Sequence, residues 1–262
     1  MMQSIILWIA ASIITFLAGY TQSITSPDYP VNGTLNLASG YASFIFDKIY
    51  RGKGPYPVWI VCDFSRKDGS PNKLIGELEW RNKAGSGDWQ KINMEQKGEA
   101  LYAEIPPHPP LSLVEYRAVL NDNGKNYSVP EVSTVTLQFL GKVPPQIMQF
   151  FYITLFGGLL LGIRTGLEIF REHPRIKMYT IFTLISFFSF TLIFSTVKKG
   201  CELGIIGGSK VAQVSELFTS GPVILFVIWI AAMTLIFNTK KPKTWAIAAS
   251  LATLLAFLLG RF

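Results

Sequence analysis

The sequence predicts a multi-domain membrane protein, in which an all-β, immunoglobulin-like sandwich precedes an α-helical transmembrane bundle. Apolar residues make up 49% of the chain and charged residues only 16%, whereas a typical soluble domain has about 25% charged residues. The apolar residues cluster in long runs, and the segment between these runs alternates apolar and polar positions. We therefore predict an N-terminal segment (1–22), a β-domain (24–143) and a helical region (146–260).

Four apolar stretches in the C-terminal half approach the length of a membrane span. A bilayer core about 30 Å thick needs roughly 20 apolar residues in a helix, because a helix satisfies all of its backbone groups internally. The stretches cover residues 146–163, 178–197, 222–237 and 245–259. They predict four helices in contact with the lipid bilayer.

A fifth apolar run, residues 4–19, lies at the N-terminus. It is long for the core of a signal peptide and short for a spanning helix. No Lys or Arg precedes it, and the best cleavage candidate after it is Thr21-Gln22-Ser23. The segment is therefore either a cleaved signal peptide or a retained transmembrane anchor, and both place the next domain outside the cytoplasm.

Basic residues predict the orientation of the helical region, since cytoplasmic loops carry an excess of Lys and Arg. The first and third connections between the helices are rich in them: Arg164, Arg171, Arg175, Lys177, Lys240, Lys241 and Lys243. The loop 198–221 is longer and contains Lys198, Lys199 and Lys210, so we expect it outside. The net charge of +7 arises from the residues outside the β-domain, around the apolar runs. The β-domain itself is neutral, which argues against a nucleic-acid partner.

The segment 24–143 has the two-residue period of half-buried strands. Two sets of alternate residues each share a face: Val114, Tyr116, Ala118 and Leu120, and Leu101, Ala103 and Ile105. Turn signals separate the runs at Asp68-Gly69, Gly85-Ser86-Gly87 and Asn123-Gly124, and the last is a strong hairpin signal. Seven to nine short strands in this length predict the immunoglobulin-like sandwich.

Several short stretches spread over the chain carry a family resemblance: Val31-Asn32-Gly33-Thr34, Pro57-Val58, 103–110, Val114-Glu115-Tyr116, 139–144 and 164–168. Through them the chain resembles a family of uncharacterised bacterial inner-membrane proteins with an exported immunoglobulin/fibronectin-like β-domain before a four-helix membrane half. The resemblance implies an inner-membrane location with the β-domain in the periplasm. That family has a histidine near the start of its first C-terminal helix, where this chain has Phe150 and Phe151. The loop 200–221 also lacks the family's Asp-Asn-rich pattern, so the resemblance supports the architecture rather than a mechanism.

Few residues suggest catalytic or cofactor chemistry. The two histidines are His108, in a proline-rich loop, and His173, in a predicted cytoplasmic turn. Neither lies at membrane depth, where a haem ligand would be needed. We predict no catalytic, cofactor-binding or metal-binding residues and no cofactor. Cys62 and Cys201 both fall in the oxidising compartment, so they can form a disulfide. Alternatively, Cys62 is a small buried apolar side chain.

Small residues predict how the helices pack. Gly158, Gly162 and Gly166 share one face of the first C-terminal helix, and Ala248, Ala252 and Ala256 share one face of the last. In lipid, such faces allow close helix–helix approach, within the bundle or against another membrane protein. Arg164 and Glu168 are four residues apart and should form an ion pair at the membrane edge, where Arg164 can reach the headgroups.

The leading hypothesis is a non-enzymatic, membrane-anchored scaffold that binds an extracytoplasmic protein or glycan. The alternative is an accessory subunit of a membrane redox or transport complex whose partner chains carry the cofactors. That alternative rests on the glycine face, and it predicts that Gly162→Leu would release the partners. An enzyme that uses His108 and Glu104 is a third hypothesis.

Overall fold

The computed structural model describes residues 2–38, 40–62, 74–83, 87–131, 133–206 and 214–260. The strands are β1 Val31–Asn36, β2 Tyr41–Phe46, β3 Ile49–Tyr50, β4 Tyr56–Cys62, β5 Leu74–Asn82, β6 Gln90–Asn93, β7 Glu95–Lys97, β8 Ala100–Ile105, β9 Leu113–Asp122, β10 Lys125–Val129 and β11 Val135–Phe139. The helices are α1 Met2–Thr25, α2 Pro145–Leu167, α3 Ile176–Phe188, α4 Thr196–Glu202, α5 Val214–Leu217, α6 Ser220–Asn238 and α7 Pro242–Leu259.

The chain divides into two compact units. The helical unit comprises Met1–Ser26, Val143–Cys201 and Ile205–Phe262, and the β unit comprises Pro27–Lys142 and Glu202–Gly204. Each unit has a hydrophobic cluster of its own.

The β unit contains two sheets. One has the strand order β1-β2-β4-β8-β7, and the other has the order β3-β11-β9-β5-β6, with β10 added beside β9. Every paired neighbour is antiparallel except β3, which runs parallel to β11. The sheets share one hydrophobic cluster, to which both contribute alternate side chains.

Alternation along the strands builds this cluster. The predicted face of β9 is fully buried, since Val114, Tyr116, Ala118 and Leu120 are all 0% exposed. The predicted face of β8 is buried as well. Both predictions are confirmed. Each large apolar side chain that is buried in this way contributes about 1.5–3 kcal/mol, so the alternating pattern supplies most of the driving force for the fold.

The turn at Asn123-Gly124 is also confirmed. It joins β9 to β10, and Asp122 pairs directly with Lys125. Asn123 has φ 52° and Gly124 has φ 87°, the left-handed values that a two-residue hairpin turn requires. The signals at Asp68-Gly69 and at Gly85-Ser86 lie outside the described residues.

The described residues form more strands than the seven to nine that we predicted. The surplus is in very short strands such as β3 and β7, which have two and three residues. A period of two cannot be recognised in so few positions, because it needs about four to eight residues to show.

In the described part of the chain, five helices are long and apolar enough to cross a membrane: Met2–Thr25, Pro145–Phe170, Ile176–Glu202, Ser220–Asn238 and Pro242–Leu259. The third includes a π-helical segment, Ser189–Ser195, which leads directly into α4. The prediction that a loop begins at Lys198 is therefore wrong, because residues 198–202 are helical. Lys210 lies outside the described residues.

The glycines of α2 lie where neighbouring helices approach it closely. A Cβ on Gly158 would lie 2.9 Å from Phe187 Cε1, one on Gly162 3.0 Å from Trp229 Cζ2, and one on Gly166 2.6 Å from Ser250 Cβ. Their neighbours belong to α3, α6 and α7 of the same unit. The glycine face is thus filled from within the bundle.

Helix α7 buries a different face from the predicted alanine face. Ala248 is exposed, and Ala252 and Ala256 are partly exposed. The buried residues are Ala246, Ala249, Ser250, Thr253 and Phe257. Thr253 accepts a 2.9 Å hydrogen bond from Trp229 Nε1, so polar contacts as well as small side chains orient this helix.

Helix α1 packs against α2 and α7. It buries Leu7, Ala11, Thr15 and Ala18. Gly19 lies so close to Phe156 that a Cβ would be 2.9 Å from the ring. The N-terminal segment therefore has an interior face like the other long helices.

The contacts of the glycines predict opposite effects for two alanine substitutions. Gly166→Ala should destabilise the helical unit by about 1–3 kcal/mol, because its methyl group overlaps the Ser250 side chain. Gly157→Ala is the matched control, because its nearest neighbour would be Ser186 Oγ at 3.6 Å, and helix propensity should stabilise it by up to about 1 kcal/mol. Thermal unfolding in detergent measures both, and equal midpoints would contradict the packing.

Candidate functional site

The outward side of the five-stranded sheet carries an exposed aromatic pair. Trp59 on β4 and Tyr102 on β8 are direct cross-strand partners, and their ring centroids are 4.3 Å apart. The indole of Trp59 is 45% exposed. Cross-strand neighbours on one face of a sheet are the side chains that interact most strongly, so the two rings form one continuous surface.

Polar groups border this pair. The Tyr102 hydroxyl donates a hydrogen bond to Glu104 Oε1, and Lys97 Nζ lies 3.5 Å from the centre of the Tyr102 ring. The hydrogen bond to the Glu104 carboxylate raises the pKa of Tyr102, with smaller contributions from burial and from neighbouring negative charge. Tyr102 therefore remains a neutral hydrogen-bond donor at physiological pH.

The same side continues across β2 and β1. Tyr41, Ile45 and Val61 are each at least half exposed, and the hydroxyls of Thr34 and Ser43 are 3.3 Å apart on neighbouring strands. We refer to this set, together with Trp59, Tyr102, Glu104 and Lys97, as the aromatic face. Exposed apolar groups of this extent, bordered by polar ones, are typical of a binding surface.

The outward side of the other sheet has a different character, because ion pairs cover it. Glu79 contacts Lys91 at 2.8 Å and Arg117 at 2.6 Å, and Arg81 contacts Glu115 at 2.8 Å. Lys91 also pairs with Glu77, and Lys83 with Glu115. Opposite charges on neighbouring strands thus neutralise one another.

This network also shifts a carboxyl group. Burial alone would raise the pKa of Glu79, but hydrogen bonds from Lys91 and Arg117 outweigh it, so the pKa lies below its ordinary value. The ring of Trp89 is covered by the guanidinium groups of Arg81 and Arg117, at 4.6 and 5.1 Å. The π surface of the Trp89 ring is therefore already occupied by these two groups.

The helical unit contains a buried ion pair. Arg164 Nη2 and Glu168 Oε1 are 2.6 Å apart, and both side chains are 0% exposed. Glu168 also accepts a hydrogen bond from the backbone N–H of Arg175 at 2.7 Å and contacts Arg171 at 3.4 Å. The predicted pairing is present, but neighbouring helices enclose Arg164, so its side chain does not extend outward as the sequence predicted.

Aromatic rings form part of that enclosure. The Arg164 guanidinium carbon lies 5.0 Å from the centre of the Tyr179 ring and 5.5 Å from that of Trp8. Ser4 Oγ is 3.5 Å from Nη2. The Nε and Nη1 groups make no hydrogen bond to any described residue. The two rings therefore add cation–π contacts to the ion pair with Glu168.

A groove of about 590 Å³ lies along α1 and α2 in the helical unit, lined by Ser12, Thr15, Phe16, Gly19, Tyr20, Ser23, Phe156, Gly157 and Leu160. Thr15 and Ser23 donate their hydroxyl protons to carbonyls of their own helix. The lining residues carry no charge, so the groove suits an apolar chain better than a polar ligand.

The two cysteines are not joined to each other. Cys62 is one of the alternate inward residues of β4 and belongs to the core of the β unit. Burial raises the pKa of its thiol to about 11, although a backbone hydrogen bond at Leu101 acts in the opposite direction. The structure therefore has no disulfide between Cys62 and Cys201, and Cys62 packs as a small apolar side chain, as the other alternative predicted. Cys201 is buried in the other unit.

Of the two histidines, His108 has contacts that fix its place in the β unit. The His108 ring packs against Trp80 and Phe139 at 5.2 and 5.0 Å, and its Nδ1 lies 2.6 Å from the Pro106 carbonyl oxygen. His173 is exposed. Among the described residues, no group of three or more His, Cys, Asp and Glu side chains could hold a metal ion.

Residues 202–204 cover part of the β unit, which the sequence did not reveal. Glu202 forms a 3.0 Å ion pair with Arg51, and its carbonyl accepts a hydrogen bond from Gly141 N–H at 2.8 Å. Gly204 has φ 71° and lies against Pro110. Glu216 is exposed, and Gly207 and Gly208 lie outside the described residues.

Comparisons with known proteins identify no family for the chain. No family of known proteins matches the sequence, and no curated protein does either. Among solved structures, the crystal structure of the Br derivative of BhCBM56 is similar over 40% of this chain and 97% of its own, with 9% identity and a TM-score of 0.26. A score this low supports no inference about function, and the resemblance to the inner-membrane family stays a prediction.

The burial of Cys62 predicts its reactivity. At pH 8 a maleimide should leave Cys62 unmodified in the folded protein and label it after unfolding, because the thiolate is the reactive form. Peptide mass spectrometry measures the labelled fraction. The raised pKa also contributes stability that is complete below the ordinary value of 9.0 and is lost as pH rises through about 11. Rapid labelling of the folded protein would contradict this placement.

The lowered pKa of Glu79 predicts a dependence on acid. Its ion pairs contribute stability above the ordinary value of 4.5, and this contribution is lost as pH falls through the lower folded value. Glu79→Gln should therefore reduce the loss of stability between about pH 5 and pH 3. Thermal unfolding at a series of pH values measures it, and Glu95→Gln, on exposed β7, is the control that should leave the profile unchanged.

Proposed function

We propose that this chain is a non-enzymatic, membrane-anchored binding protein whose β unit is an extracytoplasmic, immunoglobulin-like sandwich that binds a glycan. The aromatic face holds the glycan, and the helical unit anchors the protein in the bilayer. The exposed Trp59–Tyr102 pair is the observation that carries the proposal. The chain itself performs no chemical step.

The composition of the long helices supports the anchor. Five of them have the length and hydropathy of a span, and their outward positions carry large apolar side chains such as Ile9, Phe16, Ile153, Ile185 and Leu255. In water, so many exposed apolar groups would cause aggregation. In a bilayer the same groups contact lipid.

The distribution of charge supports the orientation. The connection between α2 and α3 contains Arg171 and Arg175, and the one between α6 and α7 contains Lys240 and Lys241. Basic connections remain in the cytoplasm. The β unit follows the C-terminal end of α1 and precedes the N-terminal end of α2, whereas the first basic connection follows the C-terminal end of α2. The proposed location is therefore a bacterial inner membrane with the β unit in the periplasm.

The chemistry of the aromatic face favours a glycan over other ligands. A sugar ring presents C–H groups on its faces and hydroxyls around its edge. The C–H groups carry partial positive charge and pack on the electron-rich face of an aromatic ring. Around Trp59, the Glu104 carboxylate, the Tyr102 hydroxyl and the Lys97 ammonium offer both acceptors and donors for sugar hydroxyls.

The contrast between the two sheets supports a binding site on the five-stranded sheet. Ion pairs and two guanidinium groups already cover the outward side of the six-stranded sheet, including the Trp89 ring. The Trp59 ring, by contrast, is nearly half exposed. A ligand therefore gains more aromatic surface on the five-stranded sheet.

The accessory-subunit hypothesis rested on the glycine face. Gly158, Gly162 and Gly166 instead contact Phe187, Trp229 and Ser250 of the same unit. Substitution of Gly162 would therefore disturb the helical unit itself. The observation that motivated a membrane-protein partner is accounted for by internal packing.

The proposal predicts the effect of Trp59→Ala in the full chain, purified in detergent. Binding to a panel of soluble neutral and acidic oligosaccharides, measured by calorimetry, should identify a glycan ligand for the unaltered protein. Trp59→Ala should weaken that binding about tenfold or more, because a central aromatic contact is worth about 1.4 kcal/mol or more.

Trp89→Ala is the matched control, since it removes a tryptophan from the covered sheet and should leave affinity unchanged. Unfolding midpoints of both variants establish that the β unit remains folded. Equal affinities of Trp59→Ala and the unaltered protein, or the absence of binding to every glycan of the panel, would overturn the proposal.

A further inference from the structure

The N-terminal helix and the buried Arg164 depend on each other. Two of the groups around the guanidinium, the Trp8 ring and Ser4 Oγ, belong to α1. The others, Glu168 and Tyr179, belong to the chain that follows the β unit. Arg164 is thus enclosed by parts of the sequence that lie more than 150 residues apart.

We propose that α1 is retained as a permanent fifth spanning helix, in which Ser4 and Trp8 complete a buried site for the Arg164 guanidinium. The proposal distinguishes the two fates of the N-terminal segment. A cleaved signal peptide would leave the site without one of its walls.

Electrostatics makes that loss costly. A charged group in a low-dielectric interior is stable only when it is paired and covered by suitable groups. The Nε and Nη1 groups of Arg164 have no hydrogen-bond partner among the described residues, so the positive charge relies on Glu168 and on the two rings. Without α1, one ring is lost and lipid chains would contact the guanidinium.

Packing along α1 points to the same conclusion. Trp8 contacts the Tyr179 ring edge-on, with centroids 5.9 Å apart. One turn further on, Ala11 belongs to the core cluster of the helical unit, and Ala18 does so near the other end of α1. Gln3 also donates a 2.7 Å hydrogen bond to the Phe170 carbonyl. The helix is therefore in contact at both ends.

The outward side of α1 is apolar. Ile5, Ile9, Ile13 and Phe16 are all more than half exposed. An interior side fitted to neighbouring helices and an outward side fitted to lipid are what a resident spanning helix needs. A signal peptide needs only an apolar central segment, with no side shaped to fit other helices.

The first test is the intact mass of the protein, purified from its native membrane through a C-terminal tag. The expected mass includes residues 4–25. A mature N-terminus after Thr21-Gln22-Ser23 would overturn the proposal at once, whatever the β unit binds.

The second test is a double-mutant cycle between Trp8 and the ion pair, measured as the unfolding midpoint in detergent. Trp8→Leu should lower the midpoint by roughly 2–8 °C, because the cation loses an aromatic partner. In the charge-free background Arg164→Met/Glu168→Met, the same substitution should shift it by much less. Equal shifts in both backgrounds would show that Trp8 only fills space, which would overturn its assigned role.

Two further variants control the cycle. Phe16→Leu changes an aromatic residue on the outward side of α1, 73% exposed, and should leave the midpoint unchanged. Trp8→Phe keeps a ring beside Arg164 and should retain most of the stability, so it serves where Trp8→Leu does not fold. Glycan binding is measured in parallel, since failure of the glycan proposal leaves this cycle unaffected.

Discussion

Strand β4 serves two environments at once, because its successive side chains point to opposite sides of the sheet. Tyr56, Val58, Ile60 and Cys62 point inward and are buried. Trp59 and Val61 point outward and are exposed. A shift of one residue in register would exchange the two sets. The core of the β unit and its candidate binding surface are therefore fixed by the same pairing of β4 with β8.

The outward sides of the two sheets of the β unit differ in the side chains that cover them. On the six-stranded sheet, long charged side chains pair across the strands and cover Trp89. Each exposed pair contributes little to stability, but together they leave few groups for a ligand. On the five-stranded sheet, Lys97 lies over the Tyr102 ring, but Trp59 remains nearly half exposed. Evenly balanced charge in the sequence hid this difference, because acidic and basic residues concentrate on one sheet only after the strands pair.

The sequence predicted those features that depend on neighbouring residues. Alternation identified the buried faces of β8 and β9, and Asn123-Gly124 identified a hairpin. Runs of apolar residues identified the long helices. Very short strands such as β3 escaped detection, since two residues carry no period. The aromatic face escaped too, because Trp59 and Tyr102 become neighbours only through the register of β4 and β8.

Arg164 shows why the other errors arose. Its spacing from Glu168 correctly predicted an ion pair, but spacing within one helix does not reveal what lies beside that helix. Trp8 of α1 and Tyr179 of α3 also lie against the guanidinium, and neither belongs to the helix of the pair. The face of α7 was misjudged for a similar reason, since Trp229 of α6 selects the side that contains Thr253. Within the helical unit, small residues permit close approach, but large partners decide which small residues are used. The same rule accounts for Gly158 and Gly162, which lie opposite the large rings of Phe187 and Trp229, whereas Gly166 lies opposite the small side chain of Ser250.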